Sequence, residues 1–340
     1  MAAVPGWQRR QHALPPGVGL KLELLEQRRF RGGTVFLRYR SASGGDTGGL
    51  TRRHERKERE MALADPPAGT SLASTGYAPV NSLSMYYEIH GEGRPLVMLH
   101  GAYMTIDMFG GVLPGLATTR QVIAAEQQGH GHTADVDRPI TYEQMADDTA
   151  ALLAHLGVGR ADVLGYSMGG GIALQLAIRH PAVVRRLVVA SASYTSDGMH
   201  SVALEAFPSI TPELFAGSPI EEAYQRTAPH PGDFPRLVEK LTRLDTTAFA
   251  WPEAEIRRIA APTMIVLGDS DGVRLEHAVE LFKLLGGGVM GDLQGMPKSQ
   301  LAVLPGTAHF VPPGHGLLDR ADWLLDLIPP FLDEPMPEDG

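Results

Sequence analysis

The chain has 340 residues, 43% hydrophobic and 20% charged, which suits one large globular domain or a domain carrying an insertion. It contains no cysteine, so disulfides, thiolate metal sites and a cysteine nucleophile are excluded, and any nucleophile is an oxygen or an amine. Uninterrupted apolar runs of about eighteen residues and the apolar core of a secretory signal are both missing, which points to a cytoplasmic protein with no membrane partner.

The net charge of −9 is unevenly spread. Residues 1–60 carry 13 Lys and Arg against 6 Asp and Glu, while the remaining 280 residues carry 17 against 33. The acidic bulk argues against a nucleic-acid partner. The basic segment, with "SASGGDTGG" and "TRRHERKERE", lacks a sustained period apart from "VGLKLELLEQ" and "TVFLRY". Residues 1–75 are therefore expected to be disordered or foreign to the native protein. Lys57-Glu58 can be encoded by a purine-rich ribosome-binding sequence just upstream of Met61, so translation is expected to begin at Met61.

From Leu83 a strand and helix rhythm sets in. "LSMYYEIHGEG", "RPLVMLHG", "QVIAAEQQGHG", "ADVLGYS", "VRRLVVASAS", "APTMIVLGDSDG" and "SQLAVLPGTAH" read as strands, mostly continuous apolar runs of the kind covered on both faces. "TYEQMADDTAALLAHLG" reads as a helix opened by a capping box of Thr141 and Gln144 and stopped by Gly157. "GGGIALQLAIRHP" and "LEHAVELFKLLGG" are helices ended by Pro181 and Gly286. The alternation predicts a mostly parallel, doubly wound α/β sheet with its chemistry at the carboxyl ends of the strands. Residues 199–260 break the rhythm with short helices divided by prolines, which predicts a helical cap between core segments 76–198 and 261–340.

"GYSMG", residues 165–169, fits the G-x-S-x-G nucleophile elbow, with an apolar strand before it and a Gly/Ala-rich helix after it. A serine at so sharp a turn is held in a strained backbone, and side chains at Gly165 or Gly169 would collide with their surroundings. Gly170 and Gly171 let the helix pack close to the sheet. Ser167 needs a base and a group to orient it. Of thirteen histidines, His309 follows the last strand in a Gly-containing loop and is the expected base. His100, His130 and His132 read as turn residues, and the "HGH" pair lacks partners for a metal site. For the acid, Asp271 lies deeper in "LGDSDG" than Asp269, which is expected to tie down the turn; Asp197 is a third candidate. The oxyanion donors are expected to be the amides of Met168 and Ala102.

"LVMLHGAYMT", "GHGHTAD", "VLGYSMGGGIALQLAIRHP", "IVLGDSDGV" and "LPGTAHF" together resemble the α/β-hydrolase superfamily over Leu83 to Leu332. The resemblance implies about eight strands, a helical cap and a cofactor-free triad of Ser167, His309 and Asp271. The chain departs from the pattern at "EQQGHG", where Glu126 and Gln128 replace residues of a structural turn, and at Met168, which argues against peptidase activity. The expected chemistry is hydrolysis of a small-molecule carboxylic ester or lactone through an acyl-enzyme, by a monomer or homodimer without a metal. Tyr103, Phe310 and Trp251 are the expected substrate contacts. A cofactor-free perhydrolase or haloperoxidase, a carbon–carbon hydrolase and a non-enzymatic small-molecule receptor are the alternatives.

Overall fold

The computed structural model describes residues 22–29, 35–41, 72–311 and 313–336, within two units, Met1–Asp65 and Pro66–Gly340. In the first unit, strands β1 (Leu22–Arg29) and β2 (Val35–Ser41) pair antiparallel, from Leu22 opposite Ser41 to Arg29 opposite Val35. They occupy the two stretches of residual apolar pattern within the segment 1–75. Met61 and its proposed role as a start lie outside the described residues.

The second unit is built on eight strands. These are β3 (Leu72–Val80), β4 (Leu83–His90), β5 (Arg94–Leu99), β6 (Arg120–Ala125), β7 (Ala161–Tyr166), β8 (Val184–Ala190), β9 (Thr263–Ser270) and β10 (Gln300–Ala308). Their order is β10-β9-β8-β7-β5-β6-β4-β3. The β3/β4 and β4/β6 pairs are antiparallel and the other five are parallel. The seven strands expected from the sequence are all present. The eighth, β3, starts inside the segment expected to be unordered. Its side chains are mostly exposed, and its register is set by a two-residue turn whose Asn81 and Ser82 have φ 43° and 73°, the positive values that match the twist of a hairpin.

Helices α1 (Val112–Ala117), α2 (Tyr142–His155) and α3 (Met168–Arg179) lie in the first half of the sheet's sequence. Thr141 caps α2 by accepting from the Gln144 amide at 3.1 Å, but the Gln144 side chain bonds Asp148 instead of completing the predicted box. Between β8 and β9 the chain inserts α4 (Ser201–Ala206), α5 (Pro219–Thr227), α6 (Phe234–Thr246) and α7 (Glu253–Arg257), with no strand among them. Pro219 opens α5 beside the Ser218 cap and Pro235 stands in the first turn of α6, where a missing N–H costs nothing. Helices α8 (Leu275–Leu284), α9 (Gly291–Gln294) and α10 (Ala321–Asp333) complete the unit.

Alternation along the strands sends side chains to two separate cores. Val97, Leu99, Val163, Leu187 and Ile265 join α2 and α3 on one face, while Leu96, Met98, Leu164, Val188 and Met264 join α1 and α10 on the other. Among the described residues no helix is long and apolar enough to cross a membrane.

Candidate active site

The turn from β7 into α3 holds Ser167 at φ 56°, ψ −119°, as the residue before the helix. Only small neighbours allow it. A Cβ on Gly165 would stand 2.0 Å from the Gly169 carbonyl oxygen, and one on Gly169 would stand 2.0 Å from the Leu99 carbonyl oxygen. The reading of the next two glycines is partly corrected. A Cβ on Gly170 would meet Ala192 beyond β8, but one on Gly171 would meet the Tyr142 ring of α2, so Gly171 serves helix-to-helix contact.

Three of the predicted residues come together in one line. Asp271 and His309 follow β9 and β10, neighbours in the sheet, and their loops converge on the elbow. His309 Nδ1 lies 2.9 Å from Asp271 Oδ1 and His309 Nε2 lies 2.8 Å from Ser167 Oγ. With the carboxylate accepting from Nδ1–H, Nε2 is left to accept from the serine hydroxyl. Burial pushes the Asp271 carboxyl up, but His309, Ser191 and the Val273 amide outweigh it and hold the group below its usual value. Ser191 Oγ donates to Asp271 Oδ2 at 2.5 Å and Val273 N donates to Oδ1 at 3.0 Å.

The amides expected to receive an oxyanion flank the serine. Met168 N opens α3, where unpaired N–H groups and the helix dipole favour negative charge. Gly101, next to Ala102, is packed against Ser167. In the same loop Tyr103 N donates to His130 Nε2 at 3.2 Å and Met104 N to Gly101 O at 3.3 Å, whereas Ala102 N and Met168 N have no acceptor among the described residues.

These groups open into a cavity of about 580 Å³. Its wall includes Tyr103, Phe310, Met168, Phe249 and many aliphatic side chains from the helical insertion, such as Leu204, Ile210 and Leu214. Trp251 does not line it, contrary to expectation. Its ring is buried against Tyr142 and Phe249, which stand in the wall, so it supports the cavity from behind. Among the described non-glycine residues with positive φ, Tyr103, Ser167 and Ser191 all line this cavity, and Asn81 and Ser82 form the hairpin turn. Backbone strain is thus concentrated where side chains must be aimed.

The other sequence candidates hold structure. Asp269 accepts from the Gly306 and Thr307 amides and ties β9 to the bend in β10. His100 Nε2 accepts from Gln127 N, and Glu126 binds both the amide and the ring of His132. Gln128 bonds Asp135 and Arg138, so the departure at "EQQGHG" rebuilds a turn outside the reacting line. Asp197 is used through its carbonyl, which accepts from Arg274. Sequence reading missed Ser191 and Tyr166. Tyr166 sits in the variable position of the elbow motif, and Ser191 follows a strand with no motif to mark it.

A family model of the alpha/beta hydrolase fold matches residues 94–253. The chain belongs to the α/β-hydrolase superfamily. Within that superfamily it is 41% identical over 103 residues to the 2-hydroxymuconate semialdehyde hydrolase of Pseudomonas sp. strain CF600, covering 29% of this chain and 36% of that one. The chain spans 36%, 42% and 56% of three curated relatives that it matches. Among solved structures, the meta-cleavage product hydrolase of Pseudomonas fluorescens IP01 superposes with a TM-score of 0.58 at 20% identity, over 77% of this chain and 98% of that one. An N-acyl homoserine lactone degrading enzyme superposes with a TM-score of 0.56 at 26% identity, over 76% of this chain and all of that one. The superpositions agree with the eight-stranded, mostly parallel sheet of this chain being an α/β-hydrolase fold.

Proposed function

We propose that this α/β hydrolase cleaves carboxylic esters or lactones through an acyl-enzyme on Ser167. The observation that carries the reading is the unbroken line from Asp271 through His309 to Ser167 Oγ, flanked by two uncommitted amides in the wall of an apolar cavity. Ser167 Oγ attacks the carbonyl carbon while His309 Nε2 takes its proton, and the Ala102 and Met168 amides hold the developing oxyanion. His309 then protonates the departing alkoxide. Water, deprotonated by the same nitrogen, attacks the acyl carbon and restores the serine. Asp271 fixes the tautomer and stabilises the imidazolium that forms at each step.

The helical insertion serves as a cap, and Tyr103 and Phe310 as substrate contacts. The likeness to a lactone-degrading enzyme supports including lactones. Carbon–carbon cleavage of an acidic substrate is disfavoured, because among the described residues no Lys or Arg lines the cavity.

A fluorophosphonate probe and a panel of esters, lactones and amides test the reading. Wild type is expected to be labelled once and to turn over esters or lactones, and Ser167→Ala to lose labelling and at least about 10⁴-fold in kcat. Equal labelling of Ser167→Ala, or a protein that cleaves only amides or carbon–carbon bonds, would overturn it.

A further inference from the structure

One charged side chain in the cavity wall has no part in the proposed chemistry. Asp245, on α6 of the insertion, lines the cavity alongside Ser167 and His309. Among the described residues its carboxyl makes no hydrogen bond and no ion pair, and no Lys or Arg lines the cavity to neutralise it. Burial in this apolar wall pushes the carboxyl up to about 7, against the opposing pull of His309. Such a group is costly to keep unless something brought into the cavity satisfies it.

The Tyr103 hydroxyl nearby is closed off from the cavity, with Thr242 as a polar neighbour. Its ring is held by Phe215, at 4.8 Å between centroids, and its backbone sits at φ 63°, a conformation that a bulky residue adopts only under strain. Burial, and after it the Asp245 charge, raises both the Tyr103 and Tyr142 phenols. An unpartnered carboxyl in the wall of a largely apolar chamber is a place where a ligand can be read by hydrogen bonding.

We propose that Asp245 recognises a hydrogen-bond donor on the substrate, so that the preferred ester or lactone carries an O–H or N–H group and no carboxylate. The proposal deepens the serine-hydrolase reading and rests on it for the words ester and lactone. The recognition point itself depends only on the cavity. A hydroxyl or an ammonium donates to the Asp245 carboxylate; a carboxylate meets like charge.

Calorimetric titration of Ser167→Ala with n-octanol, n-octylamine, octyl methyl ether and octanoate tests this without any turnover. At pH 8, where the Asp245 carboxyl is ionised, the alcohol or the amine is expected to bind at least about tenfold more tightly than the ether, as for a hydrogen bond to a charged group, and octanoate most weakly. Adding Asp245→Leu should bring alcohol and amine to within about threefold of the ether. Asp245→Asn, which is isosteric and safer for folding, should lose the amine preference first. An ether bound as tightly as the alcohol and the amine, or preferences unchanged in both Asp245 variants, would overturn the proposal. Turnover of the p-nitrophenyl esters of octanoic and ω-hydroxyoctanoic acids by wild type separates the two readings. With the binding preference present, a failure to cleave either ester rejects the hydrolase and leaves the recognition point standing.

Discussion

Tyr166 Oη donates to the carbonyl oxygen of His309 at 2.6 Å, and the two rings stack with centroids 5.4 Å apart. The residue before the reactive serine thus fixes the loop that carries the base, although 143 positions separate them. Tyr166 ends strand β7, so the elbow and the histidine loop after β10 are referred to one rigid support.

Tyr166→Phe removes that hydrogen bond and keeps the ring. Loss of about 1 kcal/mol of positioning energy is expected to lower kcat roughly fivefold with KM changed less, measured on any ester the wild type turns over. A fall in KM affinity with kcat intact would assign Tyr166 to substrate contact instead.

Ser191→Ala takes away the hydroxyl that donates to Asp271 Oδ2. Because the folded carboxyl is held below its unfolded value, it adds stability above that value and loses it as pH falls. Without Ser191 the carboxylate is less well held, so acid unfolding followed by circular dichroism should begin at a higher pH than in wild type.

Asp245 has the opposite sign. Its folded carboxyl binds a proton more tightly than the unfolded chain does, so stability falls as pH rises from about 4 to about 7 and is level above. Tyr103, Tyr142 and His309 are the titratable groups acting with it. Each pH unit in this window costs at most about 1.4 kcal/mol. Urea unfolding should show Asp245→Asn more stable than wild type at pH 8 and similar to it near pH 3.

Gly169→Ala would press a methyl to 2.0 Å from the Leu99 carbonyl oxygen, backbone against backbone. A loss of at least about 3 kcal/mol in urea unfolding is expected, or failure to fold. Gly159→Ala, with nothing within 4 Å of the added atom, is the control and should stay within about 0.5 kcal/mol.

Much of the fold is local and was therefore readable. Continuous apolar runs marked β5 to β9, and glycines or prolines at Gly157, Pro181 and Gly286 marked helix ends, because each signal arises within a few neighbouring residues. Strand β3 gave no such signal. Most of its side chains face water, and its place is fixed by pairing with β4 through an Asn81-Ser82 turn less distinctive than Asn-Gly. Trp251 was misplaced for a related reason, since aromatic character does not say which side of a wall a ring occupies.

By itself the sequence determined the elbow around Ser167, the chain order of Ser167, Asp271 and His309, and the division into sheet and helical insertion. Those follow from residue type and spacing along the chain. Only the tertiary structure decided that Ser191 and Tyr166 buttress the reacting line, that Trp251 stands behind the cavity, and that Asp245 faces into it without a partner. Each of these depends on the approach of segments far apart in the chain, and on which face of a helix or strand turns inward when the insertion folds over the sheet.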